Sequence, residues 1–510
     1  MLSEDVLYMS VRELASQIKA RKIRPVQLTE SYLARLEKYG AKLGAVATVT
    51  SKHALAQAKQ AEKEIDSGNY RGPLHGIPFG VKDLLATKGI KTTWGAPPFK
   101  DQILDYDATV VRKLTEAGAI LVAKLAMIEL AGGGGYSNAS ASLQGPSRCP
   151  FNTEHWAGGS SSGPGAAVPA ALVGFAIGSE TIGSIITPSA FSAVSGLRPT
   201  YGRVSRHGAM ALSWTMDKLG PMCRTAGDCA LVLEAIAGFD PLDETSVRTP
   251  YISRPPRRAA PGRAPLEGKR IGVIRPDFKA DGDPEVEMAF TVAFETLRGL
   301  GAKLEDAMLP DYPYSTIAGT LYSCEAASIF RPLIQSEKLQ QLVDESQKVG
   351  LVAALSIPAT DYLDAFRLRT QIQADLGKMF ERFDVLVAPS RLRPAPRADA
   401  DFNAPPKKEG EKSVENAAEK PAEKPTEKPA DKPAPKPAAS TPRSGERQSI
   451  IAASNIAGLP AISIPCGFTK ENLPIGIQFV ANALADDTCL GFARDFQRVT
   501  NFHEKRPSGF

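Results

Sequence analysis

The sequence predicts an α/β protein in which a sheet is covered by helices on both faces. From Gly72 onward, short apolar runs alternate with glycine, at Ile77 to Val81, Ala119 to Val122, Ala170 to Ile177, Ile271 to Ile274 and Val385 to Val387. Stretches of helical periodicity lie between them, among them Thr109 to Ala117 and Asp228 to Ala237. That alternation is what layered helices and strands require. A hydrophobic fraction of 43% over 510 residues supplies the core, and 23% charged residues exclude wholesale disorder.

Taken in order, the first 70 residues read as helical. Ser10 and Glu13 have the spacing of a capping box, and Val11, Leu14 and Ile18 follow at helical intervals. Leu28, Tyr32, Leu33 and Leu36 form a second stripe, and an alanine-rich third spans about 52 to 66. The stretch from Pro405 to Pro442 differs in kind: nine prolines, eight lysines and seven acids in 38 residues, with a repeating Glu-Lys-Pro. It cannot pack a core and reads as a solvated, extended insertion, with a Pro-rich docking ligand as the alternative. Two apolar runs after it, GLPAISIPCG at 458–467 and LPIGIQFV at 473–480, read as strands that return to the same sheet. The expected organisation is therefore a helical region at 1–70, a core at 71–402, a Pro/Lys/Glu-rich disordered insertion at 403–447 and the rest of the core at 448–510.

Charge and cysteine usage narrow the function. Lys plus Arg exceed Asp plus Glu by 61 − 56 = 5, and the basic residues are scattered, which argues against nucleic-acid binding. The six cysteines show no CxxC or zinc spacing and read as thiols of a reducing compartment. No secretory h-region and no run of about 18 apolar residues is present, so a cytoplasmic protein without a membrane span is expected.

The chemistry-bearing candidates are glycine and hydroxyl loops. GGSSSGPGAA at 158–167 has the glycines of a phosphate cradle but lacks the lysine of a P-loop. It also satisfies G-x-S-x-G around Ser161, yet the residues before it are polar and proline-broken, unlike the strand a nucleophile elbow needs. A second loop, GSETIGS at 178–184, follows the apolar run ending at Ile177. A serine nucleophile needs a base, and neither loop holds any of the five histidines. Lys82, inside the apolar GIPFGVKDLLA at 76–86, can serve, because burial favours the neutral amine. The alternatives are a snorkelling stem or a pair with Asp83.

Together, GPLHGIPFGVKD at 72–83, GGSSSG at 158–163, GSETIGSI at 178–185, GLRPTYGRVS at 196–205, DKLGPM at 217–222 and the two late strands resemble the amidase signature family of serine hydrolases. The resemblance covers nearly the whole chain outside 403–447. It implies the amidase signature fold, a large mixed twisted sheet of about eleven strands covered by helices on both faces, and a Ser-cisSer-Lys triad. Carried over by position, the nucleophile would be Ser184, the bridging serine with a cis peptide bond Ser160, and the base Lys82. The 24-residue separation of the two serines matches the family pattern. The oxyanion would be held by the backbone N–H groups of Thr181, Ile182, Gly183 and Ser184. Gly132, Gly133 and Gly134 fall where the family has a substrate-lining loop, with a flexible connector as the alternative. Arg369 resembles a carboxylate-recognising arginine of the amidotransferase branch, with a structural ion pair as the alternative. His155, His207 and Arg198 are read as scaffold. The chain departs from the commonest family pattern at Ser162, Glu180, Ile182 and Ile186.

The resemblance implies an amidase that hydrolyses a carboxamide through an acyl-enzyme, with a small-molecule amide as substrate. No metal or organic cofactor is called for, and a homodimer is left open. Two alternatives are carried. One is the A-subunit of a tRNA-dependent amidotransferase, working with a partner protein; the other is a non-catalytic binding protein of the same fold.

Overall fold

Alternate residues along the strands enter opposite cores, and this period-two pattern makes the sheet a central layer. In the computed structural model, which describes residues 2–253, 262–403 and 449–510, Val385 and Val387 pack into one hydrophobic cluster while Leu386 and Ala388 pack into another. Ile462 and Ile464 likewise face away from Ala461. Both faces are thus buried.

The strands in chain order are β1 (Val46–Val49), β2 (Pro78–Lys82), β3 (Ile120–Leu125), β4 (Arg148–Cys149), β5 (Asn152–Trp156), β6 (Phe175–Glu180), β7 (Ser195–Arg198), β8 (Lys218–Cys223), β9 (Arg270–Ile274), β10 (Lys303–Ala307), β11 (Val385–Pro389), β12 (Ala461–Phe468) and β13 (Pro474–Val480). β4 and β5 form a small separate ribbon. The other eleven make one mixed sheet in the order β1-β3-β2-β6-β8-β7-β12-β13-β11-β9-β10. β3, β2 and β6 are mutually parallel, as are β11, β9 and β10, and the strands between the two groups run antiparallel. The late strands β12 and β13 lie in the middle of the sheet, so the chain after the insertion is part of the same core.

Most expected elements are present. The capping box forms, with Ser10 Oγ accepting from the Glu13 N–H and Glu13 reaching back to the Ser10 N–H, and starts the helix Val11–Lys19. Helices also span Pro25–Tyr39, Ser51–Asp66, Thr109–Glu116 and Ala226–Ile236. Two corrections are needed. The first 70 residues are not all helical, because Val46–Val49 pairs antiparallel with β3; its Val-Ala-Thr-Val suits a short edge strand. The run from Ala170 to Ile177 becomes strand only at Phe175, and the strand continues through Gly178, Ser179 and Glu180, which by composition suit a turn. The insertion expected at 403–447 lies, from 404 onward, outside the described residues.

The six cysteines are all free thiols, and all but Cys324 are buried. Among the described residues no single helix is long and apolar enough to cross a membrane.

The serine-rich loop is pinned by close backbone packing. The Gly163 N–H donates to the Ala126 carbonyl at 2.8 Å, and a β-carbon on Gly163 would lie 2.4 Å from Ala126 N and 2.5 Å from the Ala45 oxygen. Backbone atoms cannot yield as a rotamer can. Gly163→Ala is therefore expected to lower unfolding free energy by about 2–3 kcal/mol, as overpacking does, measured by urea denaturation.

Candidate active site

Lys82 is the last residue of β2, and Ser179 and Glu180 end the neighbouring parallel strand β6. The candidate site thus lies at the carboxyl ends of parallel strands, where open α/β sheets place their ligands. Lys82 is fully buried. Its Nζ is 2.8 Å from Ser160 Oγ and 2.9 Å from Ser179 Oγ. Burial pushes its pKa down to about 7, against the opposing pull of the Asp217 and Glu180 carboxylates. The expected alternative, a pair with Asp83, does not form: Asp83 Oδ1 instead lies 3.0 Å from Nζ of Lys124, another buried lysine, on β3. Asp83 also accepts from the Thr93 N–H at 2.9 Å.

The peptide bond between Gly159 and Ser160 is cis. The Ser160 carbonyl accepts from the Ile128 N–H at 3.2 Å, and the next residue reaches the second loop, the Ser161 N–H donating to the Ser184 carbonyl at 3.3 Å. Ser161 Oγ donates to the Ser179 carbonyl and accepts from the Ser179 N–H, at 3.1 and 3.2 Å. Ser161 therefore holds the two serine segments together, and its hydroxyl is occupied with backbone, which removes it as an elbow nucleophile.

The segment from Thr181 to Ser184 leaves β6 as a tight loop, with Gly183 at φ +78°. Ile182, in place of the commoner glycine, stays out of the left-handed region and packs, partly buried, against the cluster that holds Ile186 and Ile450. Among the described residues, the N–H groups of Thr181, Ile182, Gly183 and Ser184 have no internal acceptor, whereas the next two do. Glu180 Oε2 takes the Ile185 and Ile186 N–H groups at 2.7 and 2.9 Å. Its Oε1 is held by Arg198 Nη1 and Asn455 Nδ2, both at 2.8 Å. Burial alone would raise the Glu180 pKa, but the Arg198 charge and these donors outweigh it and keep the carboxyl below its ordinary value. Asn455 in turn accepts from Lys218 Nζ at 2.7 Å. On the other side of the loop, Asp217 accepts from Thr181 Oγ1 at 2.5 Å and from the Leu212 and Ser213 N–H groups.

Glu180, Asp217, Asn455 and Ser179 are the residues that sequence reasoning missed as positioning groups. Glu180 and Asp217 both lie in the motifs that carry the family resemblance, but nothing in a string of letters says which N–H a carboxylate will take. Arg198 serves the scaffold through Glu180. His155 is also tied to the scaffold, its Nδ1 lying 2.7 Å from the Ala395 carbonyl oxygen. The ion pair expected for Arg369 is not found among the described residues. Arg369 Nη2 donates to the Thr215 carbonyl at 2.8 Å, and the guanidinium lies 5.9 Å from the Tyr201 ring. Of the glycines at 132–134, Gly133 approaches Leu212, and Gly134 packs against the helix Glu345–Ala354 so closely that a β-carbon would meet the Gln347 oxygen at 2.1 Å. A cavity of about 200 Å³ opens beside Ser179 and Thr181, with Ala131 rather than the glycines in its wall.

The sequence profile of the family described as Amidase matches residues 27–417 and 421–490. The chain belongs to the amidase signature family. Among its relatives, the A-subunit of the glutamyl-tRNA(Gln) amidotransferase of Moorella thermoacetica is 34% identical over 526 residues, 99% of each chain. The native peptide amidase of Stenotrophomonas maltophilia superposes with a TM-score of 0.77 at 28% identity, covering 98% of each chain. A bacterial aryl acylamidase of the same family shares the fold, with a TM-score of 0.80 at 24% identity and 99% coverage of each chain. Membership in this amidase-signature family makes the chain an enzyme that acts on C–N bonds.

In this amidase-signature chain Glu180 and Arg198 are both fully buried. Replacing Glu180 by leucine leaves the guanidinium unpaired, so a loss of about 3–5 kcal/mol in stability is expected, read as a fall in the midpoint of chemical denaturation.

Proposed function

We propose that this protein is an amidase that cleaves a carboxamide C–N bond through Ser184, Ser160 and Lys82. The observation that carries the reading is the 2.8 Å contact between Ser160 Oγ and a buried amine whose pKa is pushed to about 7. Such an amine is neutral in a large fraction of molecules near neutral pH and can accept a proton. Neutral Lys82 takes the Ser160 proton while Ser160 takes that of Ser184, whose Oγ attacks the carbonyl carbon. The C–N bond then breaks as the relay returns a proton to the leaving nitrogen, and water hydrolyses the acyl ester by the same path. The unoccupied N–H groups of Thr181 to Ser184 hold the developing oxyanion, and loss of one such donor typically raises the barrier by about 3 kcal/mol. A cytoplasmic location goes with this reading.

The same chemistry fits a second setting, the A-subunit of a tRNA-dependent amidotransferase, in which glutamine supplies ammonia to a partner protein. The sequence comparisons favour it: the relatives bearing that name match the chain over 98–99% of its length at 32–34% identity, above the 28% of the peptide amidase. Arg369, without an ion pair among the described residues, is also suited to a substrate carboxylate. The purified chain separates the readings. Ammonia release from simple amides without a partner supports the amidase; release from glutamine only with a partner supports the amidotransferase.

Ser184→Ala is expected to lower kcat at least 10³-fold, with loss of labelling by a fluorophosphonate; full activity would remove Ser184 as the nucleophile. Because the base acts when neutral, kcat/KM should rise about tenfold per pH unit below about 7 and level off above it, and a pH–rate profile checks this. Lys82→Met should abolish that rise together with the activity.

A further inference from the structure

The cavity beside Ser179 and Thr181 has a volume of about 200 Å³. Ser179 is the hydroxyl that touches Lys82 Nζ, and Thr181 begins the loop of free N–H groups. The cavity therefore lies next to the candidate triad, although Lys82, Ser160 and Ser184 are not themselves in its wall. Leu84, Met210, Leu212 and Leu219 form apolar walls, and Trp214 and Leu242 stand at the mouth with 41% and 62% of their surface exposed. A dry apolar cavity of about 150 Å³ accepts benzene. This one is open and partly polar, with Arg206, His207, Asp217 and Asp243 also in its wall, and by volume it has room for a six-membered ring.

Charge narrows the occupant further. The cation in the wall, Arg206, is already engaged: its guanidinium pairs with Asp243 at 3.4 Å, reaches Thr245 Oγ1 at 2.6 Å and donates to the Trp214 carbonyl. Asp217, which also lines the cavity, presents a carboxylate with no cationic partner within 4 Å among the described residues. The wall also holds Asp243 and His207, whose Nδ1 has no hydrogen-bond partner among the described residues. A ligand carboxylate placed here would lie against two carboxylates, with the Arg206 guanidinium already committed to one of them. Arg369 is not part of this wall.

We infer that the substrate carries an uncharged, ring-sized apolar group next to its scissile amide, and that this cavity holds it. The inference rests on the amidase reading and specifies its substrate class as neutral aryl or compact branched aliphatic amides. Apolar burial beside the reacting carbonyl fixes the amide against the oxyanion loop, and a filled cavity also excludes water from the Lys82 relay.

The test compares kcat/KM for acetamide, 2-phenylacetamide and acetanilide, which place the ring on neither side, the acyl side or the amine side of the amide. The wild-type protein is expected to prefer at least one aromatic probe over acetamide by tenfold or more. Met210→Trp, which fills the cavity, should lower kcat/KM for that probe at least tenfold more than for acetamide. Met210→Ala, which enlarges it, should raise the KM for that probe at least threefold more than that for acetamide. Turnover of acetamide but of neither aromatic probe by the wild type, or an equal effect on all three probes in both variants, overturns the inference. Failure of the amidase reading is seen separately, as no turnover of any of the three probes, acetamide included.

Discussion

The candidate site depends on keeping one amine out of water. Lys82 ends a strand buried on both faces, and the groups its nitrogen touches are hydroxyls. A carboxylate in direct contact would have stabilised the ammonium form and returned the pKa toward its ordinary value near 10.5. Asp83 is adjacent in sequence and would have done this, but successive residues at the end of a strand point to opposite sides. The carboxylate is instead committed to Lys124 and Thr93. The second buried lysine thus absorbs the negative charge that would have disabled the first.

The two carboxylates that do approach Lys82 act through space and through the backbone. Glu180 grips the two N–H groups that follow Ser184, and Asp217 grips the side chain of Thr181 at the other end of the loop. Between these anchors four amides are left without internal acceptors among the described residues. A loop clamped at both ends presents fixed dipoles, and fixed dipoles stabilise developing charge without reorganising. The substitution of Ile182 for glycine is compatible with this because the clamps, not local flexibility, set the backbone. Glu180 is itself held by Arg198 and Asn455, so the loop is braced from the strand β7 and from the helix Ile450–Ile456.

Much of the fold was legible in the sequence because strands buried on both faces are written as largely apolar runs, as β2, β9, β11, β12 and β13 are. β1 was not, since four residues at a half-buried edge leave too short a pattern to distinguish from a helical neighbour. The end of β6 was misread for a related reason: Gly178, Ser179 and Glu180 are turn formers by composition, and only pairing with Gly220, Leu219 and Lys218 keeps them extended. Lys82 was legible as a candidate because it is a polar residue set in an apolar frame, whereas Ser160 and Ser184 were picked out from neighbouring hydroxyls only by the family resemblance. The partners of Glu180, Asp217 and Arg369 were not, because they come from segments far apart in sequence, and long-range pairing has no local signature. Gly134 shows the same limit, its lack of a side chain serving a helix more than 200 residues away.

The position of β12 and β13 in the middle of the sheet has a bearing on how the molecule is born. β7 and β11 can be joined only when residues 461–480 stand between them, and Asn455 reaches Glu180 from the helix just before that hairpin. During synthesis the amino-terminal strands therefore emerge as a half-sheet with an open edge, and the serine loop gains its last brace from chain made nearly at the end. A chain cut short of about residue 461 would leave β7 without its second neighbour, and one cut before residue 455 would leave Glu180 without its amide partner as well.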